Sequence, residues 1–323
     1  MTVWGAVDRD ELENRKREVE RRYGAWISHN LQLQDDLYTI RRGVAGGNEA
    51  RVRRVVQLVA DLAHGPIERL RVLDLGAFEG LFAVELARQG ARVVAIEGRE
   101  ASLEKMRLAK EALELENLEV RLEDVRALDP QRHGAFDVVL CLALLYHLDA
   151  PDVFQLLERM RDLCRDLVII ETRVAPYPSE RREHRGRQYL GMPFPEPPPD
   201  TPPLSSDALW SSIGNPMSFQ LTRASLCDAL ADVGYSSVLQ CLQPPLVEER
   251  PNRATFAAFT RARVPIMSVP ELNDQAWDRL RQPSVPLHIT LRRHPAYRWI
   301  SALVPQRAKD LAARIASRLK ATS

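Results

Sequence analysis

The stretch Val72-Leu73-Asp74-Leu75-Gly76-Ala77-Phe78-Glu79-Gly80 reads as an apolar strand running into a glycine turn that opens a helix. Such a turn lets backbone approach a ligand closely, and the first N–H groups of the helix are left free to bind it. A dinucleotide fingerprint would place a second glycine two residues after the first. Here Ala77 and Phe78 follow Gly76, so the glycine that admits a pyrophosphate is missing and a nicotinamide oxidoreductase is discouraged. A second apolar run ends in Glu97-Gly98, 23 residues beyond Asp74, near the spacing of roughly 20 expected of an acid that holds a ribose. A carboxylate suits that task because it accepts from both vicinal hydroxyls. A third run is followed by Asp124-Val125, where an acid could accept from the exocyclic amine of adenine. The fourth, Phe136 to Cys141, continues through Leu142 to Tyr146 and His147. Taken singly, each acid reads as a solvated loop residue and the glycine turn as a structural one; three acids at consecutive strand ends behind one glycine turn outline a nucleoside site.

The elements that must position these residues alternate in type. β-Branched runs predict strands at 70–75, 92–97, 118–123, 136–142 and 167–172, with amphipathic helices at about 80–89, 100–115 and 151–164, which is the pattern of βαβ units on a parallel sheet. Right-handed crossovers carry every loop after a strand's carboxyl end to one edge, where a ligand binds. Upstream, Asp8 to Tyr23 is dense in Arg and Glu and predicts an exposed helix with i,i+4 charge pairs. Asn48 to His64 carries Val52, Val55, Val56, Val59 and Leu62 at helical spacing and predicts a helix on the sheet. After Thr172 the alternation gives way to a segment rich in Pro and Arg, 173–217, of the kind that is functional or disordered. It resumes with a helix over 222–233 and strands near 236–242 and 254–260. A closing helix over 306–320 shows Leu311, Ile315 and Leu319 on one face. The division expected is a helical cap (1–66), a core (67–172), an insertion (173–217), completion of the core (218–262) and an extension (263–323).

With these motifs in view, Val72 to Thr172 resembles the class I S-adenosylmethionine-dependent methyltransferases, with 218–260 resembling that family's last helix and antiparallel strand pair. The resemblance implies an α/β Rossmann-like, doubly wound, mostly parallel seven-stranded sheet. It also implies S-adenosylmethionine as cofactor, released as S-adenosylhomocysteine. By position it places the methionine part at Asp74, Gly76, Ala77, Phe78 and Gly80, the ribose at Glu97 and Gly98, and adenine at Asp124 and Val125, with Cys141 and Leu142 beside them. Ala77-Phe78 departs from the small residue and glycine that many members carry. The run Leu144-Leu145-Tyr146-His147-Leu148, with Trp26, His29, Asn30, Tyr38 and Thr39, resembles a subgroup that includes tRNA wobble-uridine carboxymethyltransferases and sugar or natural-product O-methyltransferases.

Methyl transfer from a sulfonium needs mainly proximity, orientation and a dry pocket. An alcohol nucleophile gains a further factor of about 10²–10⁴ from a positioned base. His147 at the cofactor edge is the first candidate base, the alternative being that it caps a helix. His29, in Trp26-Ile27-Ser28-His29-Asn30, is the second, in a segment that could fold over the cofactor; the alternative is that Trp26 simply anchors the N-terminal helix. Arg181, Arg182, Arg185 and Arg187 fall within seven residues beside Tyr189 and could hold phosphate or carboxylate, or form a solvated loop. Trp26, Tyr38, Tyr146, Arg181, Tyr189, Trp210 and Asn215 are the substrate-wall candidates. No His, Cys, Asp or Glu spacing requires a metal, with Glu171 and His184 left open.

Of 323 residues, 45% are hydrophobic and 28% charged, with a formal net charge of +1. That balance describes a globular protein able to bury a full core and argues against a dedicated nucleic-acid binder. Cys141, Cys164, Cys227 and Cys241 lack C-x-x-C spacing and read as reduced core thiols. With no leader and no apolar run long enough to cross a bilayer, a cytoplasmic location is expected. The preferred activity is O-methylation of a small-molecule sugar or natural-product hydroxyl. The alternatives are a wobble-uridine type transferase acting on tRNA and a non-catalytic scaffold on the same fold; oligomeric state is left open.

Overall fold

Runs of Val, Leu and Ile that are apolar on both faces must be covered on both faces, and the computed structural model shows how this chain does so. It describes residues 8–43, 48–197, 201, 209–245 and 252–274. Seven strands form one sheet: β3 (Arg71–Leu75), β4 (Arg92–Glu97), β5 (Leu118–Leu122), β6 (Phe136–Leu142), β7 (Cys164–Arg173), β11 (Ser237–Cys241) and β12 (Arg253–Phe259), in the order β11-β12-β7-β6-β3-β4-β5. Only β12 runs against its neighbours. The Rossmann-like, mostly parallel seven-stranded sheet expected from the sequence is therefore present. Side chains alternate across it: Val138, Leu140 and Leu142 of β6 join one core, while Phe136, Val139 and Cys141 join the other. Helices α2 (Asn48–Leu62), α3 (Leu81–Arg88) and α4 (Glu100–Ala112) contribute to the first core, and α6 (Asp152–Leu163) and α7 (Arg223–Asp232) to the second.

Strand β3 has β4 on one side and β6 on the other, and the chain reaches β6 only after building β4 and β5. The connections that leave β3 and β6 thus diverge to opposite faces and open a crevice at the carboxyl ends of the two strands.

Three features differ from the sequence expectation. Segment 173–217 contains strands rather than only loop: β8 (Glu180–His184) and β9 (Arg187–Pro195) form a hairpin, and β10 (Met217–Leu221) pairs with β9 to make a separate three-stranded antiparallel sheet. Tyr189, Phe219 and Leu221 of that sheet enter the second core, so apolar burial holds the insertion in place. A short ribbon, β1 (Gln32–Gln34) with β2 (Leu37–Tyr38), lies in the N-terminal region. Strand β7 begins at Cys164, three residues before the expected start. The remaining elements match to within a few residues, including α1 (Arg9–Tyr23) with its Lys16–Glu20 and Arg17–Glu13 pairs, and a single turn of helix, α5 (Pro130–His133). All four cysteines are free thiols, and no described helix is long and apolar enough to cross a membrane. The chain divides into two units, residues 1–265 and 266–323. In the second, described to residue 274, Asn273 closes a loop onto the backbone of Ile266 through both side-chain amide atoms. The expected helix at 306–320 lies outside the described residues.

The N-terminal segment is held to the glycine turn by one buried acid. Glu79 Oε1 accepts from the Ile27 N–H (2.9 Å) and Oε2 from the N–H groups of Ser28 (3.0 Å) and His29 (2.9 Å). The Lys105 ammonium, from α4, completes the shell at 3.0 Å and also donates to the Ala25 carbonyl at 2.7 Å. Both ionic side chains are buried. Breaking one partner of such a pair strands the other in low dielectric. Urea unfolding of Glu79→Ala should show a loss of about 3–5 kcal/mol. The double variant Glu79→Leu/Lys105→Met should remain clearly destabilised, because three backbone N–H groups still lack an acceptor. Full recovery in the double variant would show that the ion pair, and not the backbone clamp, matters.

Candidate active site

The crevice holds a cavity of about 200 Å³. Its floor is the glycine turn. Gly76 has φ +63°, and a Cβ there would sit 3.1 Å from Leu144 Cδ1. Gly80 has φ +88°, and a Cβ there would sit 2.7 Å from Met106 Cγ. Phe78 adopts φ 53° despite its side chain, in a left-handed conformation that costs a non-glycine residue about 1–3 kcal/mol. Its N–H donates to Glu97 Oε2 at 2.8 Å, which ties the turn to the end of β4.

Asp74, at the end of β3, is 1% exposed, and its Oδ2 has no hydrogen-bond partner among the described residues. Burial, with Glu97 nearby, pushes its carboxyl up to about 7, although an N–H bond from Ala83 and the charge of Arg51 act the other way. A buried, unpaired carboxylate oxygen beside a glycine cradle is complementary to a ligand cation. Glu97 is likewise raised by burial, against N–H bonds from Arg99 (2.8 Å) and Phe78 that favour its charged form. Those bonds fix its orientation while it still faces the cavity. Burial would raise Asp124 too, but the Arg126 guanidinium and N–H hold it below the usual range. Its carboxylate caps the turn Val125–Ala127. All three acids line the cavity, with Gly76, Ala77, Phe78, Gly98, Val125 and Leu142. Residues present therefore fit a nucleoside carrying a cationic group.

The two histidines differ in their partners. His147 follows β6 on a short turn, Leu145–His147, and its Nδ1 lies 3.2 Å from Glu196 Oε1. Burial raises Glu196, but the hydrogen bond and charge of His147 outweigh it and hold the acid below its ordinary value. With Nδ1–H donated to a carboxylate, Nε2 is the basic atom, the arrangement of an oriented general base. Among the described residues the ring bonds the Glu196 carboxylate and no helix carbonyl, so its contacts lend the cap role no support. His29 Nδ1 instead accepts the Leu81 N–H at 3.1 Å, so the proton sits on Nε2. Burial, with Arg51 beside it, pushes its pKa down to about 3. His29 lines the cavity as a neutral donor, and the expectation that it acts as a base is corrected on that ground.

Residues 209–213 cover the cavity, Leu209 and Trp210 among its lining. Arg99 donates to the carbonyls of Ser211 (2.8 Å) and Ser212 (3.2 Å), Arg126 to that of Ile213 (2.9 Å), and Glu196 accepts the Ser212 N–H (2.9 Å). A Cβ on Gly98 would lie 2.6 Å from Ile213 Cδ1, so any larger residue there would have to displace the end of the Ile213 side chain. Tyr146 and Trp210 line the cavity.

Other expected site residues stand outside the wall. Gly80 opens α3 against Met106, and Cys141 faces the second core. Trp26 is buried beneath Lys16 and Lys105 as an anchor. Tyr38 lies on the β1–β2 ribbon. Asn215 supports the cover, donating to the carbonyls of His147 (3.1 Å) and Met217 (2.6 Å). Arg181 is exposed on β8, and Tyr189 is buried with its hydroxyl on Asp232 (2.7 Å). Hairpin register turns the basic run toward local acids: Arg182 meets Glu180, Arg185 meets Glu158, and Arg187 meets Asp232. His184 pairs with Glu158 while Glu171 pairs with Arg51; no metal-holding group of three such side chains occurs among the described residues. Glu196, Arg51, Arg99 and Arg253 were absent from the sequence-based site because nothing local marks them.

Residues 72–166 match the methyltransferase domain family. The ubiquinone biosynthesis O-methyltransferase of Acinetobacter baylyi is 34% identical over 87 residues, covering 27% of this chain and 37% of that protein. The enzyme of the same name from Rickettsia typhi is 28% identical over 130 residues, 40% of this chain and 49% of that one. The chain thus spans less than half the length of these curated relatives. Among solved structures, the N-terminal domain of EvdMO1, crystallised in the presence of SAH and D-fucose, is 25% identical with a TM-score of 0.60, covering 80% of this chain and 98% of that one.

The tautomer of His29 is directly measurable. Long-range ¹H–¹⁵N spectra should show it as the neutral Nε2–H form throughout pH 5–8. Since its pKa is depressed in the fold, its contribution to stability is full above about 6.5 and declines toward pH 3, by up to about 1.4 kcal/mol per pH unit. Comparison with His29→Gln should isolate that slope; an imidazole that titrates near 6.5 in the folded protein would overturn the assignment.

Proposed function

Given that residues 72–166 form a methyltransferase domain, we propose that this chain transfers the methyl group of S-adenosylmethionine to a hydroxyl of a small molecule and releases S-adenosylhomocysteine. One observation carries the reading: a single cavity is lined both by the strand-end acids Asp74, Glu97 and Asp124 and by His147, whose Nδ1 meets Glu196 outside the lining. The O-methyltransferase relatives and the neighbour crystallised in the presence of D-fucose support a hydroxyl acceptor.

When bound, the cofactor supplies an electrophilic methyl on a sulfonium. Asp74 Oδ2 would hold its ammonium, Glu97 its ribose hydroxyls and Asp124 the exocyclic amine of adenine, while the Gly76 turn gives room for close approach. The cover of Leu209, Trp210 and Ile213 excludes water. His147 Nε2 takes the proton of the acceptor hydroxyl as the oxygen attacks, and Glu196 stabilises the imidazolium that results. Trp210 and Tyr146 form the acceptor wall. The reading as a tRNA-modifying transferase draws no such support, because the arginines at 182, 185 and 187 already face acids.

Titration calorimetry with S-adenosylhomocysteine tests the reading; a folded sample that binds none overturns it. Because Asp74 is raised to about 7 when free, an ammonium bound there must draw a proton off it below that pH. Affinity should fall by up to tenfold per unit as pH drops from 7 to 5, with proton release seen as a buffer-dependent enthalpy. Asp74→Asn should weaken binding and flatten the profile. Once an acceptor is found by screening sugar and phenolic hydroxyls, His147→Ala should lower kcat by about 10²–10⁴ with cofactor affinity unchanged. Glu196→Gln should lower kcat less, again with cofactor affinity unchanged.

A further inference from the structure

Strands β7 and β12 bring like charges together beside the acceptor wall. Arg173 and Arg253 are direct partners in the antiparallel register, as are Glu171 and Thr255, and directly opposed like charges destabilise a sheet. From α2, Arg51 adds a third guanidinium, its Nε donating to Glu171 Oε2 at 2.8 Å. Two guanidiniums, those of Arg51 and Arg253, therefore share one carboxylate, with Arg173 beside them. The pairing of Arg253 is incomplete: its Nη1 lies 3.0 Å from Glu171 Oε1, yet that oxygen and Arg253 Nε are both buried without an aligned hydrogen-bond partner among the described residues. Arg173 rests over the Tyr146 ring at 4.9 Å. One turn along α2, Arg54 shows what a structural arginine looks like in this fold. It is buried, and its guanidinium donates to the Pro244 and Leu242 carbonyls and the Thr255 hydroxyl.

Burial, along with the charges of Arg51 and Arg173, pushes Arg253 below its ordinary value against the pull of Glu171. Arg51 and Arg253 both line the cavity, with Tyr146 and His147. A desolvated guanidinium on a cavity wall with a buried, unpartnered N–H, as at Arg253, is complementary to an anion, for which Arg provides a forked donor.

We infer that Arg253 and Arg51 form a carboxylate subsite for the methyl acceptor, so that the substrate is a hydroxy acid whose carboxylate docks at Arg253 while its hydroxyl meets His147. This rests on the transferase reading of the same cavity. Arg51 is near enough to Asp74 to act on its acidity, so a carboxylate of the cofactor is the other source of the same chemistry, and the test separates the two.

Full-length protein saturated with S-adenosylhomocysteine is titrated at low ionic strength with benzoate and with benzamide, its neutral counterpart. Benzoate should bind at least tenfold more tightly, Arg253→Gln should abolish the difference, and Arg253→Lys should restore part of it. A cooperative thermal melt of Arg253→Gln shows that the variant is folded. Equal binding of benzoate and benzamide, or binding of neither, overturns the inference while intact S-adenosylhomocysteine binding leaves the transferase reading in place. If Arg253→Gln weakens S-adenosylhomocysteine tenfold but leaves 5′-methylthioadenosine, which has no carboxylate, unchanged, the subsite belongs to the cofactor and the inference is overturned. If the parent protein binds no S-adenosylhomocysteine, the transferase reading fails and the inference fails with it.

Discussion

The buried carboxylate of Glu79 is the constraint on which the cavity depends. It sits within the glycine turn, yet its acceptors are spent on the backbone of residues 27–29 and on Lys105 from α4. One side chain therefore joins three parts of the chain that are distant in sequence. Because the His29 N–H is one of its donors, the same acid places the His29 ring edge-on to Phe78 and Phe82 with Nδ1 against the start of α3. A buried ion pair gains little over apolar packing. What it supplies here is position: three adjacent N–H groups can be satisfied together only if the N-terminal segment crosses the turn at one place.

Two of the acids that line the cavity are coupled to its cover through arginines two residues downstream of each. Arg99 follows Glu97, and Arg126 follows Asp124; both reach across to the carbonyls of residues 211–213. Arg126 also neutralises Asp124 directly. A ligand that hydrogen-bonds to Asp124 must share the carboxylate with that guanidinium, and the hold on Ile213 changes with it. Occupancy of the nucleoside end and the position of Trp210 over the acceptor end are thus linked by a short, continuous set of hydrogen bonds.

The sheet was legible because its signal is local: β-branched runs, helical spacing and a glycine turn each lie within a few residues, and the strand-end acids came with them. Features that depend on long-range contacts were not. Glu196 pairs with His147 from 49 positions away, on a segment that reads as proline-rich loop. The charge-bearing cluster behind Tyr146 comes from residues 51, 171, 173 and 253, none of which forms a run. Conversely, the run from Arg181 to Arg187 is conspicuous in sequence but ordinary in structure, because a strand's two-residue period and the adjacent α6 and α7 supply Glu158 and Asp232 as partners. Density of charge along the chain was a poor guide to excess of charge in space. The hairpin itself was missed because its pairing is set by contacts with the second core, through Tyr189 and Phe219, and proline content pointed the other way.

Two imidazoles in one cavity show how far a partner determines a role. Each is largely shielded from water, each lies beside the cofactor edge, and by residue type they are equivalent. A backbone N–H facing Nδ1 fixes His29 as neutral and leaves only a donor to present, whereas a carboxylate facing Nδ1 of His147 fixes the opposite tautomer and leaves a basic nitrogen. Burial strengthens the first outcome, since low dielectric penalises a charged His29 that has no counterion. The division of labour within the cavity follows from which group meets Nδ1. A base at one histidine and a fixed donor at the other is what a reaction needs when a hydroxyl must lose its proton without a second base competing for it.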